Sequence, residues 1–226
     1  MANRTLQILC VAILSIPATL HADPAYFSVH GALILADDYT VETENQSNSA
    51  TFSVTTGSSE MGFRGGVALG KRAGFAKFEV EYAFRSFGFD GVSLSNGNGD
   101  SRVGSDGSVT TNSLMGNFAG FMPLGIDSNT AVGLLFGGGI GIAQLKVDDM
   151  DTSNATVTKR LSDTSVVGAY QLFGGVEFVG DELAVAIQYR LFLSESADLT
   201  DSGGQSITAD GLASNEILIS VDFLMN

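Results

Sequence analysis

Large apolar and polar residues alternate through eight segments of the chain. In the stretch FAKFEVEYAFR, at 75–85, apolar side chains occupy every second position and mostly charged side chains stand between them. Strict alternation predicts β-strands with two unlike faces, because successive side chains of a strand point in opposite directions. The segments with this pattern are 25–36, 60–70, 75–87, 111–122, 130–145, 165–179, 183–192 and 214–223.

The connections between these segments alternate in length. Those after the second, fourth and sixth segments are short, whereas those after the first, third, fifth and seventh are long and polar. Short turns at one end and long loops at the other are typical of the up-and-down barrels of bacterial outer membranes. The sequence therefore predicts an all-β fold, an eight-stranded antiparallel up-and-down transmembrane β-barrel.

In such a barrel the polar face of each strand lines the lumen. An eight-stranded barrel is narrow and its interior is filled by side chains, so we expect charges of both signs to pair there. Arg85 with Glu81 and Arg190 with Glu177 are the ion pairs we expect. The polar network predicted for the lumen comprises His30, Glu60, Arg64, Lys77, Glu79, Glu81, Arg85, Asn117, Gln171, Glu177, Gln188, Arg190, Glu216 and Asp222.

The opposite assignment of the two faces stays open at this point. A secreted, lipocalin-like soluble barrel would turn its apolar faces inward around a cavity for small hydrophobic ligands. Loop asymmetry, export and glycines on the lumenal register favour the membrane barrel. An interfacial girdle of aromatic residues is predicted near the short turns, formed by Tyr26, Phe27, Phe75, Phe121, Phe178 and Phe223.

The first 22 residues are typical of a secretory signal peptide. Arg4 precedes an apolar stretch too short to span a bilayer as a helix, and Ala22 provides a small residue before a cleavage site at Asp23. We therefore predict a cleaved signal peptide at 1–22 and an outer-membrane barrel domain at 23–226. The chain's one cysteine, Cys10, lies in the signal segment, so the exported domain has no disulfide framework.

Composition narrows the chemistry further. The formal net charge is −14 at pH 7, which opposes nucleic-acid binding because that requires a basic surface. Barrel lipases and deacylases need a Ser–His pair, and His30 is the one histidine after the signal segment. His30 is expected to meet Glu216 or Ser220 where the first and last strands close, as part of a structural network. No cofactor, metal site or catalytic residue is predicted.

The long connections are rich in acidic residues. KVDDMD at 146–151 and ADLTDSGG at 197–204 are candidates for weak binding of divalent cations, but neither has the ligand spacing of a calcium loop. Solubility of exposed loops is the favoured explanation. These segments are also the place where extracellular ligands of unknown identity would bind.

Several stretches resemble the porin-family outer-membrane β-barrel domain. They are TSVVGAYQLFGGVEF with LAVAIQYRLF, LLFGGGIGIA, NSLMGNFAGF and the final EILISVDF. In that family an inward Gln, a following Gly and a Tyr-Arg pair recur, and these correspond to Gln171, Gly175, Tyr189 and Arg190. The resemblance implies kinship with the OmpA, OmpX and opacity-protein barrels, which share no enzymatic activity. It also implies that the assembly machinery of the outer membrane recognises the last strand, although here three residues follow Phe223.

The sequence thus predicts a non-enzymatic outer-membrane protein of a Gram-negative-type envelope, with a structural or surface-interaction role and a polar, largely filled lumen. Outer-membrane lipid and lipopolysaccharide are its expected surroundings. A small porin for ions or small solutes is the first alternative, and a lipid-modifying barrel enzyme or a soluble lipocalin-like binder is the second.

Overall fold

The chain folds into antiparallel strands throughout. A computed structural model describes residues 25–36, 39–43, 50–54, 61–96, 99–126, 130–154, 157–200, 206–209 and 211–225. The signal segment, its cleavage site at Ala22 and Asp23, and Glu60 lie outside these residues. The strands are β1 (Ala25–Ala36), β2 (Tyr39–Thr43), β3 (Ala50–Val54), β4 (Gly62–Ala73), β5 (Ala76–Asn96), β6 (Gly99–Ile126), β7 (Ala131–Asn154), β8 (Val157–Val179), β9 (Leu183–Ser194), β10 (Ala197–Thr200), β11 (Ser206–Ala209) and β12 (Ala213–Met225).

Eight of these strands close into a barrel. Each pairs with its neighbours in the order β1, β4, β5, β6, β7, β8, β9 and β12. The cylinder closes where β12 pairs with β1 along its whole length, from Ala25 opposite Met225 to Ala36 opposite Ser214. The predicted eight-stranded antiparallel up-and-down barrel is therefore confirmed. Within the described residues, no helix has the length and apolar character needed to cross a membrane.

The two ends of the barrel differ, and we call them the turn end and the rim end. At the turn end β4 and β5 are joined by Gly74 and Phe75, where Gly74 has a φ of 60° that favours glycine. The start of β1 lies at this end too, because Ala25 pairs with Lys71 and with Met225.

At the rim end the strands run further than predicted. Segments assigned to long loops instead continue the wall, since β5 pairs with β6 as far as Asn96 opposite Gly99. In the same way β7 pairs with β8 as far as Asn154 opposite Val157. The short strands β2, β3, β10 and β11 extend the sheet alongside them. Strands are held together by hydrogen bonds between backbone groups, and polar side chains do not prevent this pairing. The polarity of a segment was therefore a poor guide to where a strand ends.

The apolar face of the barrel strands points outward. On β5, Phe78 and Tyr82 are 38% and 49% exposed, whereas the residues that precede them, Lys77 and Glu81, are buried. The soluble alternative required the opposite arrangement, with the apolar faces inside. Exposed outward side chains occur on every barrel strand, among them Val29, Leu33, Phe63, Leu69, Phe118, Phe136, Ile140, Leu172, Ile187, Ile217 and Ile219.

Two of the six aromatic residues assigned to a girdle at the turn end were assigned wrongly. Phe27, Phe75, Phe178 and Phe223 are exposed, but the Tyr26 side chain is completely buried inside the barrel. Phe121 lies on the same face of β6 as buried Asn117 and Ala119, and its ring lies against Gly133. Whether a side chain points inward or outward depends on its odd or even position along the strand, not on how close it is to a turn.

Candidate functional site

The candidate site is the interior of the barrel, where Glu81 forms the centre of a buried polar cluster. Its Oε1 accepts a hydrogen bond from Arg64 Nη2 at 2.5 Å, and its Oε2 accepts one from Arg190 Nη1 at 2.6 Å. Asn117 and Gln171 also donate to this carboxylate. Because Glu81 is fully buried, the two guanidinium groups provide the compensation that a carboxylate needs away from water.

A second cluster lies towards the turn end. Glu177 Oε1 accepts hydrogen bonds from Arg72 Nη2 at 2.6 Å and from Lys77 Nζ at 2.8 Å. Lys77 also donates to Asp222 Oδ2 at 2.7 Å. Beside these cations the Tyr26 hydroxyl donates to Glu79 at 2.9 Å, and the Lys77 ammonium lies 4.8 Å from the centroid of the Tyr26 ring. This cluster ties together strands from opposite sides of the barrel.

A third polar group lies towards the rim end, around Arg85. Its Nε donates to Glu216 at 2.6 Å and its Nη1 to Ser113 at 2.7 Å. The guanidinium lies 3.8 Å from the centroid of the Phe192 ring, a distance at which the cation and the ring attract each other. Arg64 joins this group to the central cluster, since its Nε lies 3.5 Å from Glu216.

Apolar side chains fill the interior at the level of Arg85 and beyond it. We call this set the apolar layer, and almost every barrel strand contributes to it. Gly62 on β4 leaves the space, since a Cβ atom there would lie 2.7 Å from the Phe87 Cβ and 3.2 Å from the Ile34 Cβ. The members of the layer are Ile34, Phe87, Val109, Leu145, Val167, Phe192 and Leu212, all buried.

Glycines on the inward face leave room for polar side chains close to the barrel wall. A Cβ atom on Gly139 would overlap the Asn117 side-chain oxygen, and one on Gly66 would overlap Nε2 of His30. Asn117 uses the space to donate to Glu79 at 2.8 Å and to accept from Gln171 at 2.6 Å. The lumenal glycines therefore allow the polar network to form.

His30 lies opposite Ser220 in the pairing of β1 with β12. In the described part of the chain its buried Nε2 has no hydrogen-bond partner, while the Ser220 hydroxyl accepts from Gln188 at 3.5 Å. A cavity of about 10 Å³ beside them, bordered also by Glu81 and Lys77, has room for about one water molecule. The described residues contain no cluster of His, Cys, Asp or Glu suited to a metal ion.

The structure places the described members of the predicted lumen set inside the barrel. All are buried except Glu79, which is partly buried. Two expected pairs were wrong: Arg85 binds Glu216 instead of Glu81, and Arg190 binds Glu81 instead of Glu177. The interior also contains buried polar residues outside the predicted set, of which Ser220 was expected beside His30. Their inward parity was the available signal, and they are Tyr26, Ser28, Arg72, Thr111, Ser113, Ser214 and Ser220.

On the outer wall, three tyrosines reach towards the rim end in the same way. Each hydroxyl donates to a polar side chain on, or just after, the next barrel strand: Tyr82 to Asn112 at 2.8 Å, Tyr170 to Glu195 at 2.9 Å, and Tyr189 to Asn215. Half-exposed tyrosines with satisfied hydroxyls suit a boundary between hydrocarbon and water. The girdle predicted from the sequence lay only at the turn end and did not include these tyrosines.

Comparison with known proteins finds the same fold. No protein-family model matches the chain, and no curated protein matches it significantly. The outer-membrane protein OprG of Pseudomonas aeruginosa superposes with a TM-score of 0.51 and 15% identity, over 89% of this chain and 96% of its own. The Neisserial surface protein A superposes with a TM-score of 0.46 and 15% identity, over 88% of this chain and 96% of its own. The Escherichia coli outer-membrane protease OmpT superposes with a TM-score of 0.45 and 8% identity, over 91% of this chain and 98% of its own. The likeness to OprG shows that the chain has the fold of an outer-membrane β-barrel.

Proposed function

We propose that this chain is an exported, non-enzymatic barrel of the outer membrane of a Gram-negative-type envelope, with a closed lumen and a structural or surface-interaction role. The observation that carries the proposal is the filled interior. Three linked polar clusters occupy the lumen from Lys77 to Arg85, and the apolar layer lies beyond them. Ions would have to break buried ion pairs and then cross an apolar constriction, and both obstruct conduction.

The outer wall supports the membrane location. Apolar side chains continue along β9 from Leu183 to Leu193 and along β12 from Ile217 to Met225. A tilted strand of about 9–11 residues crosses the hydrocarbon core, so these bands have the required height. In this location outer-membrane lipid and lipopolysaccharide surround the wall. The short turns face the periplasm, as in bacterial barrels generally.

Three further elements of the proposal rest on sequence features. Export depends on the signal segment at 1–22. Recognition by the outer-membrane assembly machinery depends on β12, where Phe223 is exposed on the outer wall. Binding of extracellular ligands depends on the acidic segments at the rim end.

The lack of enzymatic activity is supported by the position of His30. This residue is buried on the inner side of β1, so lipid at the outer wall does not reach it. Its neighbour Ser220 is hydrogen-bonded to Gln188, whereas a serine nucleophile requires a base within hydrogen-bond reach. Replacing His30 by Ala should therefore leave lipid A composition unchanged, and an altered composition would favour the enzymatic alternative.

The test of the main proposal is fractionation of the full chain, followed by electrophoresis of unboiled samples and planar-bilayer recording. We expect an outer-membrane protein that migrates faster when unboiled, and no stepwise conductance. A soluble species without the shift would overturn the membrane location. Reproducible conductance steps from the folded wild-type barrel would favour the small-porin alternative.

A further inference from the structure

A groove crosses the outer wall of the barrel near the turn end. It encloses about 620 Å³ and runs from β4 across β5 and β6 to β7. Its lining is mainly apolar and includes Leu69, Phe78, Phe118 and Ile140. The rings of Phe78 and Phe118 lie 5.1 Å apart and form part of the wall. The groove is therefore a concave, mainly apolar feature of the outer wall.

Missing side chains create this groove. Gly116 and Gly138 stand on the outward face of β6 and β7, where Phe118 pairs with Gly138. A Cβ atom on Gly116 would have the backbone oxygen of Ile140 as its nearest neighbour, at 3.8 Å. A side chain at position 116 would thus fit the backbone, and the space above this glycine is open.

A cation marks the turn end of the groove. Lys71 follows Leu69 on the outward face of β4 and borders the groove. It lies close to the turn of Gly74 and Phe75, where the apolar band of the wall ends. An apolar groove with an ammonium group at the membrane boundary matches a molecule that has a hydrocarbon chain and an anionic phosphate.

We propose that the groove binds one phospholipid of the leaflet at the turn end, with an acyl chain between Phe78 and Ile140 and the phosphate beside Lys71. The inference rests on the proposed membrane location, in which this leaflet faces the periplasm. It goes further, because it assigns a defined lipid site where the rest of the wall has only general contact with lipid.

Native mass spectrometry can test this site. The wild-type barrel is reconstituted in nanodiscs containing equal amounts of phosphatidylethanolamine and phosphatidylglycerol, and is then released into mild detergent. We expect a single phospholipid to remain bound. Lys71→Gln should lower the retained fraction about fivefold, since a lysine near a lipid headgroup has roughly that effect on binding. Gly116→Leu should lower it at least as much, because its side chain fills the groove.

Two matched variants serve as controls. Lys146→Gln removes an outward lysine at the rim end, and Gly65→Leu adds a side chain at an outward glycine where a Cβ atom would have no other atom within 4 Å. Both should retain lipid like the wild type. A folded wild-type barrel without bound lipid, wild-type retention by Lys71→Gln and Gly116→Leu, or a lipid-free dimer would overturn the lipid site alone. Failure of the chain to enter nanodiscs would overturn the membrane location as well.

Discussion

Arg190 and Glu81 meet across the lumen although 109 positions separate them in the chain, with Nη1 donating to Oε2 at 2.6 Å. They stand on β9 and β5, which lie on opposite sides of the barrel. The same carboxylate holds Arg64 at 2.5 Å. One buried acid thus connects three strands and compensates the charge of both arginines, although Arg64 also lies 3.5 Å from Glu216.

Glu81→Gln should destabilise the barrel strongly while keeping the size of the side chain. Two buried guanidinium groups would lose the anion they share, and breaking a buried pair in this way lowers the free energy of unfolding by about 3–5 kcal/mol. Urea unfolding of the barrel in lipid vesicles measures the change. Glu182→Gln at an exposed turn is the control and should change stability by less than about 0.5 kcal/mol. Equal effects of the two variants would contradict the central role of Glu81.

Opening the apolar layer should allow ions to pass. The double variant Phe87→Ala and Phe192→Ala removes two rings from the layer, one of which lies against the Arg85 guanidinium. We expect small planar-bilayer current steps that the wild type does not show, because the apolar constriction is widened while the polar clusters still limit the current. The matched control, Phe63→Ala with Phe84→Ala, removes an outer-wall ring pair with centroids 5.9 Å apart and should stay silent. Silence of both double variants would show that the polar clusters alone close the lumen.

Gly139→Ala should lower stability through a local steric conflict. The added methyl would overlap the Asn117 oxygen and lie 3.0 Å from the backbone oxygen of Gly116, so Asn117 must move away from Glu79 and Gln171. Overpacking of this kind costs about 1–3 kcal/mol. Gly65→Ala on the outer wall should change the urea midpoint little, since no atom lies within 4 Å of the new group. A neutral Gly139→Ala variant would mean that the network adapts without loss.

A charge on the outer wall should reveal contact with hydrocarbon. Ile219 is 55% exposed in the middle of the apolar band of β12, and Met225 is 49% exposed at its turn end. In lipid vesicles, Ile219→Arg should lower the free energy of unfolding by about 2–4 kcal/mol and Met225→Arg by about 0–1 kcal/mol. A soluble barrel would tolerate both substitutions equally, so equal small effects would argue against the membrane location.

The described part of the candidate site was largely accessible from the pattern of polar residues. Lys77, Glu79, Glu81 and Arg85 share one parity on β5, and the structure has all of them on the inner side. Arg72 escaped notice because the predicted second strand ended at 70, whereas β4 continues to Ala73. Alternation marks a strand end near a turn poorly, and an error of three residues at this end was enough to omit a member of the turn-end cluster.

The apolar layer was missed for a different reason. Phe87 and Val109 stand at inward positions of their strands. When the lumen is expected to be polar, an apolar residue at such a position is taken as a break in the alternation and not as part of the interior. Their burial depends on contributions from most of the barrel strands, and Gly62 provides space for one of them. No single strand contains that information.

The sequence by itself determined the number of barrel strands, their antiparallel order and which residues share each face of a strand, because alternation and turn length are local properties of the chain. The structure decided that the apolar faces point outward. Only the tertiary structure decided that Arg190 binds Glu81 and that Arg85 binds Glu216. Partner choice depends on the stagger of the strands around the cylinder and on how far each side chain reaches across it. Those distances exist only once β12 has closed against β1.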